Sequence, residues 1–296
     1  MNRLSLLVFV LLMPSVGTAQ SARGAEIPRT PWGTPDLQGI WDNRTITPLE
    51  RPREFEGRAS LTVAEAATYE VQTAGRRVND RYYWDRGTRT VSDRRTALIV
   101  DPADGRVPSL TPTGRRRVEA GQRQGVDRAE DRNPSERCIT RTVPRLPGLY
   151  NNNYQIFQTP AYVVIQMEMI HDARIVPLDG RAHVSAFIRQ WNGDSRGRWD
   201  GDTLVIETTN FTSKTNFRGA AEHLRLVERL TRVDADTIEY EFTVSDESTW
   251  TRPWTARIPL NRNEGPMYEY ACHEGNDGLA GILEVNRRLE QMDEAR

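Results

Sequence analysis

The chain has 296 residues, of which 37% are hydrophobic and 27% are charged. This is the composition of a folded globular protein with room for one large core, and it excludes a disordered or fibrous chain. The formal net charge is −1. Residues 75–145 are rich in Arg, but acidic residues are interleaved with them and no nucleic-acid-binding motif is present, so no nucleic-acid partner is predicted.

Residues 1–19 have the pattern of a secretory signal peptide. Arg3 precedes an apolar run that ends at Met13, and Gly17-Thr18-Ala19 supplies the small residues that precede a cleavage site. The apolar run is about half of the roughly 20 residues that are needed to cross a bilayer. A membrane anchor is the alternative. The sequence therefore predicts a periplasmic or secreted protein without a membrane span.

The first part of the mature chain is predicted to contain little regular structure. Residues 20–36 are rich in Pro and are expected to be extended, and a single β-rich domain is expected over residues 37–296. Thr62-Val-Ala-Glu65 matches a capping box and predicts a helix to about Gly75. Residues 57–136 are polar and rich in Arg, and they could not bury a core alone. They are predicted to be a partly helical excursion from the β-rich domain.

From Tyr154 onward, apolar strands alternate with turns. Asp200-Gly201 is a strong signal for a two-residue hairpin, and Asp234-Ala-Asp236 predicts a second hairpin. Successive strands this close in sequence cannot be joined by crossover helices, so the sheet is predicted to be antiparallel. A short helix over Gly281–Met292 is expected to follow. The predicted strands are Gln155–Pro160, Tyr162–Ile170, Arg174–Leu178, Gly197–Trp199, Thr203–Thr208, Leu224–Val233, Thr237–Ser245, Trp254–Leu260 and Met267–Cys272.

The strand Thr237–Ser245 alternates between an apolar and a polar face, and the apolar residues of Trp254–Leu260 likewise face together. One apolar face with polar residues opposite is what a closed or strongly curled antiparallel sheet requires. A β-barrel built as a meander is therefore the predicted fold, with a β-sandwich as the alternative. Glu228 breaks the pattern because it lies on the apolar face of its strand. A carboxylate at such a position is expected to pair with an Arg from a neighbouring strand, or to contact a ligand.

Cys138 and Cys272 are the two cysteines of the chain. In an oxidising compartment they could form one disulfide, and two buried thiols are the alternative. The sequence does not decide between these two arrangements.

The candidate functional residues cluster in the strand region. Carboxylates and imidazoles that lie close together can perform general acid–base catalysis, and the candidates are Glu168, His171, His183 and Glu228. Predicted ligand-binding residues are Asn153, Arg174, Asp179, Arg181, Trp191 and His273. The His residues show no short metal-binding spacing, so no metal and no cofactor are predicted, and zinc would be the first metal to test.

Two resemblances bear on the family and the fold. The phrases Tyr150-Asn-Asn-Asn-Tyr-Gln-Ile156, Gln158-Thr-Pro160, Leu178-Asp-Gly-Arg181, Gly193-Asp-Ser-Arg-Gly-Arg-Trp-Asp-Gly-Asp-Thr-Leu204 and Thr251-Arg-Pro-Trp-Thr255 resemble a group of exported bacterial proteins. That resemblance implies export but no activity. Gly39-Ile-Trp41 resembles the first strand of lipocalins, which implies a calycin-like barrel.

Three functions follow from these observations. The first is an exported barrel that binds a small apolar or aromatic molecule. The second is a cofactor-independent lyase, isomerase or hydrolase, in which Arg174 or Arg181 would hold an anionic group of the substrate. The third is an envelope protein that contacts a partner through its Arg-rich excursion. The oligomeric state is left open.

Overall fold

The computed structural model describes residues 27–75, 87–122 and 125–294. The predicted signal peptide lies outside these ranges. The described residues form ten strands and three α-helices. The strands are β1 (Gly39–Asp42), β2 (Ile99–Asp101), β3 (Asn153–Gln158), β4 (Tyr162–Met167), β5 (Ala173–Pro177), β6 (Asp194–Asp200), β7 (Thr203–Thr209), β8 (Arg225–Arg232), β9 (Thr237–Ser245) and β10 (Trp254–Arg262). The helices are α1 (Val63–Gly75), α2 (Pro112–Gln122) and α3 (Asp277–Glu294).

All ten strands belong to one sheet, and every pairing in it is antiparallel. The order is β5-β4-β3-β1-β10-β9-β8-β7-β6, and β2 pairs with β10. The two end strands, β5 and β6, contact each other without pairing, so the sheet is nearly closed into a barrel. We call this contact the seam. The predicted antiparallel, mainly β fold is confirmed.

Both predicted hairpins are present. Asp200 pairs with Thr203, so Gly201 and Asp202 form the loop between β6 and β7. Gly201 has a φ of +58°, a conformation that glycine adopts without strain. The second predicted turn joins β8 to β9. Turn chemistry in the sequence therefore determines these two pairings.

The inner face of the barrel is filled by large side chains. On β9 the apolar residues Ile238, Phe242 and Val244 are fully buried, as the alternation predicts. The rings of Trp254 and Phe242 pack edge to face, with their centroids 5.8 Å apart. The Trp41 ring is also buried, with the Arg232 guanidinium 5.3 Å from its centroid. The barrel interior is a packed core for most of its length.

Gly197 of β6 allows the seam to close. A Cβ at this position would lie 2.7 Å from Leu178 Cδ2 and 2.8 Å from Val176 Cγ1. Contacts this short do not occur, so a larger residue would force the side chains of Val176 and Leu178 to move. Side-chain packing, rather than backbone hydrogen bonds, holds the two end strands together.

The described part of the Arg-rich excursion packs against the barrel. Leu98 and Ile99 are buried in the main core, and β2 is hydrogen-bonded to β10. The predicted capping box is present, since the Thr62 backbone N–H donates to Glu65 at 2.8 Å and α1 follows at once. The sequence reasoning missed α2, although Thr111 accepts a hydrogen bond from Gly114 N–H at its start.

Two strand predictions near the candidate residues were wrong, one in its C-terminal boundary and one in its existence. The strand that was expected to reach Ile170 ends at Met167, because Glu168 adopts helical backbone angles and Ile170 and His171 follow with positive φ values of 66° and 56°. Met267–Cys272 contains no strand, since the chain leaves the sheet after β10. The C-terminal helix exists and is longer than predicted.

Cys138 and Cys272 form a disulfide, with Cα atoms 5.7 Å apart. The bond joins the segment before β3 to the segment that precedes α3, across a sequence separation of 134 residues. Within the described ranges, no helix is both long enough and apolar enough to cross a membrane.

Candidate functional site

Two concavities meet at Arg174, the second residue of β5. The first is an open cleft of about 560 Å³ outside the barrel at the seam, lined by residues 172–175 and 189–195. We call it the seam cleft. The second is a narrow cavity inside the barrel, which we call the barrel cavity. Arg174 is the residue that lines both.

Arg174 points into the barrel because it lies on the inner face of β5, opposite Ile165 of β4. Its guanidinium donates to both carboxylate oxygens of Glu228, at 2.5 and 2.9 Å. The Tyr240 hydroxyl donates to the same carboxylate at 2.7 Å. Arg174 is 9% exposed and Glu228 is 2% exposed, so this ion pair is removed from water and closely coupled.

The electrostatic environment of this cluster is that of a low-dielectric interior. Burial opposes the charge of Arg174, but the attraction and hydrogen bonds of Glu228 outweigh it and raise the pKa of Arg174 above its ordinary value. Burial, and then the negative charge of Glu228, raise the pKa of Tyr240 well above its ordinary value. Tyr240 therefore keeps its proton and serves as a hydrogen-bond donor.

The barrel cavity beside this cluster is small. The volume available to the centre of a water molecule is about 20 Å³, which is room for about one water. Apart from the ion pair, two tyrosines and Arg145, its walls are the apolar side chains of Val143, Ile156, Ile165, Met167, Leu230 and Leu260. A drug-sized ligand would not fit inside the barrel as it stands.

Arg145 and Tyr154 complete the polar end of the cavity, and the sequence reasoning missed both. The Tyr154 hydroxyl donates to the backbone oxygen of Arg145 at 3.0 Å and accepts from Asn43 at 3.1 Å. The Arg145 guanidinium donates to the backbone oxygens of Tyr150 and Asn151. Burial lowers the pKa of Arg145 and raises that of Tyr154. Tyr154 could have been found from its inward position on β3.

The seam cleft offers a mixed surface of apolar and polar groups. Ile175 belongs to the β5 segment that lines the cleft and is 62% exposed, and Trp191 belongs to the second lining segment, residues 189–195. Asn192 donates to Asp172 at 2.5 Å, which fixes both side chains at the rim. Asp194 also lines the cleft.

Asp194 holds a histidine next to the cleft. His183 Nδ1 lies 2.8 Å from Asp194 Oδ2, and the other carboxylate oxygen lies 3.1 Å from the Arg196 guanidinium. The Val184 backbone N–H also donates to Asp194. With the carboxylate as acceptor, Nδ1 of His183 is the donor, and in the neutral tautomer Nε2 is left as an acceptor. This is the orientation that general-base catalysis uses.

No family model, curated protein or solved structure matches the chain. The resemblance to exported bacterial proteins and to lipocalins stays a prediction. The chemistry of the site is therefore inferred from its own geometry.

The structure brings together some of the predicted residues but not the whole catalytic set. Glu228 has the Arg partner that was expected, yet Arg174 comes from β5, which is not a neighbour of β8 in the sheet. Glu168 is buried and accepts from Asn153 Nδ2 at 2.8 Å. His171 is exposed, with Nε2 2.8 Å from the Gln166 amide nitrogen. The four predicted acid–base residues thus make separate contacts.

The other predicted ligand-binding residues are divided in the same way. Trp191 and Arg174 line the seam cleft. Asp179 and Arg181 are paired to each other in a turn, with Arg181 Nε 2.5 Å from the carboxylate. His273 is exposed beside the disulfide. Over the described ranges, no group of three or more His, Cys, Asp or Glu residues is arranged to hold a metal ion.

Proposed function

We propose that this protein binds a small apolar or aromatic molecule in the seam cleft. The observation that carries the proposal is the meeting of Ile175 and Trp191 at one concavity of about 560 Å³. This volume lies within the range of about 300–1,000 Å³ that is typical of small-molecule sites. The apolar surfaces of Ile175 and Trp191 can be covered by such a ligand, which removes them from water.

The position of the cleft at the seam supports the same proposal. Because β5 and β6 are not hydrogen-bonded to each other, no backbone pairing fills the space between the two segments that line the cleft. The polar groups at the rim, Asp172 and Asn192, are fixed by their mutual hydrogen bond. They can orient a ligand whose apolar part lies against Ile175.

Export to an oxidising compartment is part of the proposal. The disulfide between Cys138 and Cys272 supports it, because structural disulfides persist outside the reducing cytosol. The signal-peptide pattern of residues 1–19 points in the same direction. Fractionation of the source cells, with detection of the processed N-terminus, tests this part.

The binding proposal can be tested with the protein as it is isolated from its own cells. Native mass spectrometry is expected to show an additional small-molecule mass that is released on denaturation. The apo protein is then titrated with a neutral naphthalene-type fluorescent probe. Ile175→Asp is expected to weaken probe binding at least about tenfold, because it places a charge on an apolar contact surface.

A matched control distinguishes probe binding in the cleft from nonspecific binding to exposed apolar residues. Val71→Asp changes a similarly exposed apolar residue on α1, which does not line the cleft. It is expected to leave probe binding unchanged. Equal affinities of the wild type, Ile175→Asp and Trp191→Ala would contradict the proposal.

The hydrogen bond between His183 and Asp194 favours a second candidate function, an acid–base enzyme that acts on a substrate beside the seam cleft, which Asp194 lines. A panel of esters, lactones and enolisable ketones tests it. Turnover that is lost in His183→Gln but kept in His223→Gln, an exposed histidine with a side chain near Glu222, would support the enzyme. Turnover that survives His183→Gln would refute it.

A further inference from the structure

Helix α3 carries an exposed apolar stripe that the functional proposal does not use. Ile282, Val285, Leu289 and Met292 are 37%, 58%, 54% and 58% exposed. An adjacent face of the helix, about a third of a turn away, carries the half-buried Leu279 and Leu283. Asn286 also contacts the domain, with its side-chain nitrogen 3.3 Å from Asp127. The helix is therefore attached by one face and leaves a second apolar face in water.

The spacing of the exposed stripe is that of a coiled coil. The four residues follow each other at intervals of three, four and three positions, which places them at a and d positions over about one and a half heptads. A helix that only covered its own domain would need one apolar face, and α3 has that face already. The second stripe has the period of a contact with another helix.

The last two turns of α3 have little support from the rest of the domain. From Arg287 to Glu294 every described side chain is exposed, so this part of the helix gains little from packing on the domain. The final turn contains Asp293 and Glu294 and no basic residue, and acidic groups at a helix C-terminus are unfavourable. An isolated helical segment of this length is marginal in water.

We propose that the exposed stripe of α3 pairs in parallel with α3 of a second copy of this chain. Charge complementarity supports this partner. With Ile282 at position a, Arg288 is at position g and Asp293 at position e, so each Arg288 faces Asp293 of the other copy. Arg288 also pairs with Glu284 of its own helix, and its guanidinium has donors for both carboxylates.

The charge of α3 argues against a membrane surface as the partner. The helix contains five acidic residues and two Arg, which gives a net charge of −3. Helices that lie on anionic membranes carry Lys and Arg on their polar face. Such lipids offer an acidic helix no positive charge, whereas a second copy of α3 offers Arg288 to Asp293.

The experiment is sedimentation velocity of the purified, disulfide-bonded protein over a range of concentrations. The wild type is expected to shift from monomer to dimer as the concentration rises. Leu289→Glu should keep the protein monomeric at concentrations where the wild type is dimeric, because it buries a charge in the pairing surface. Arg287→Glu is the control, since it changes charge at position f, outside that surface, and should leave dimerisation unchanged.

A charge exchange tests the parallel arrangement. Arg288→Asp and Asp293→Arg are each expected to weaken the dimer by several-fold, and the double variant should recover most of that loss. Circular dichroism of every variant checks that α3 is still helical. A wild type that remains monomeric, a dimer that survives Leu289→Glu, or single charge variants without effect would each overturn the proposal. The assay reports on α3 and leaves the test of the seam cleft independent.

Discussion

Removal of one partner of the ion pair between Arg174 and Glu228 should destabilise the barrel strongly. The substitution Glu228→Leu would remove the acceptor of three hydrogen bonds, two from Arg174 and one from Tyr240. The guanidinium that remains is 9% exposed and has no compensating charge in the cluster. Breaking a buried pair in this way costs about 3–5 kcal/mol of unfolding free energy.

The double variant with Arg174→Met and Glu228→Leu should be far more stable than either single variant. Replacement of a whole buried pair by apolar residues of similar volume is often neutral or stabilising. Tyr240 would still lose its acceptor, which costs about 1–3 kcal/mol. We therefore expect the double variant to lie within about 2 kcal/mol of the wild type, and the two substitutions to be strongly non-additive.

Urea unfolding of the disulfide-bonded protein, followed by tryptophan fluorescence, measures these differences. The signal comes from Trp41, Trp250 and Trp254, which are buried and become exposed on unfolding. Glu239→Leu is the control because residue 239 faces outward on β9, and its effect should stay within about 0.5 kcal/mol. A loss below about 1 kcal/mol for Glu228→Leu, or additive single variants, would refute the reasoning.

Three further predictions concern the seam, the disulfide and the start of α1. Gly197→Ala should lower thermal stability by about 1–3 kcal/mol because its Cβ meets the side chains across the seam, whereas Gly278→Ala has open space around it and should not. Cys138→Ser opens the loop to Cys272 of 134 residues, which removes at most about 5 kcal/mol and should expose the segment around α3 to trypsin. Backbone, and then side-chain, hydrogen bonds lower the pKa of Glu65 from 4.5 to about 2, so its contribution to stability is present above pH 4.5 and is lost as the pH falls towards 2.

Glu65→Gln measures the last of these effects. The variant should be less stable than the wild type at neutral pH, and the two should converge in acid because the wild-type carboxyl becomes protonated. A difference that is constant with pH would contradict the capping role. For Gly197→Ala, a melting temperature equal to that of Gly278→Ala would contradict close packing at the seam. For Cys138→Ser, unchanged proteolysis would show that α3 is held by other contacts.

Local signals in the sequence were sufficient for much of the barrel. The alternation on β9 and the turn at Asp200-Gly201 each depend on a few neighbouring residues, so both could be predicted. The capping box at Thr62 predicted α1 for the same reason. Alternation also identified Glu228 as an inward-facing carboxylate that needs a cation.

The partner of Glu228 could not be predicted, because it depends on how the sheet closes. Arg174 is 54 residues away in the sequence and reaches Glu228 only when β5 meets β6. The predicted acid–base set failed to come together for a related reason. It assumed that the strand continues to Ile170, whereas the chain turns after Met167, and the side chains of Glu168 and His171 bond to Asn153 and Gln166 instead. Closure and turns of this kind leave no periodic signal.

The position of β1 in the sheet has a consequence for the timing of synthesis. β1 lies between β3 and β10, so a strand that ends at residue 42 acquires one of its neighbours only when residues 254–262 have been made. At about 5–20 residues per second, roughly 10–40 s separate the emergence of the two strands from the ribosome. The barrel cannot close during this interval. A chain with this strand order stays open, and available to any machinery that threads unfolded polypeptides, until its translation is almost complete.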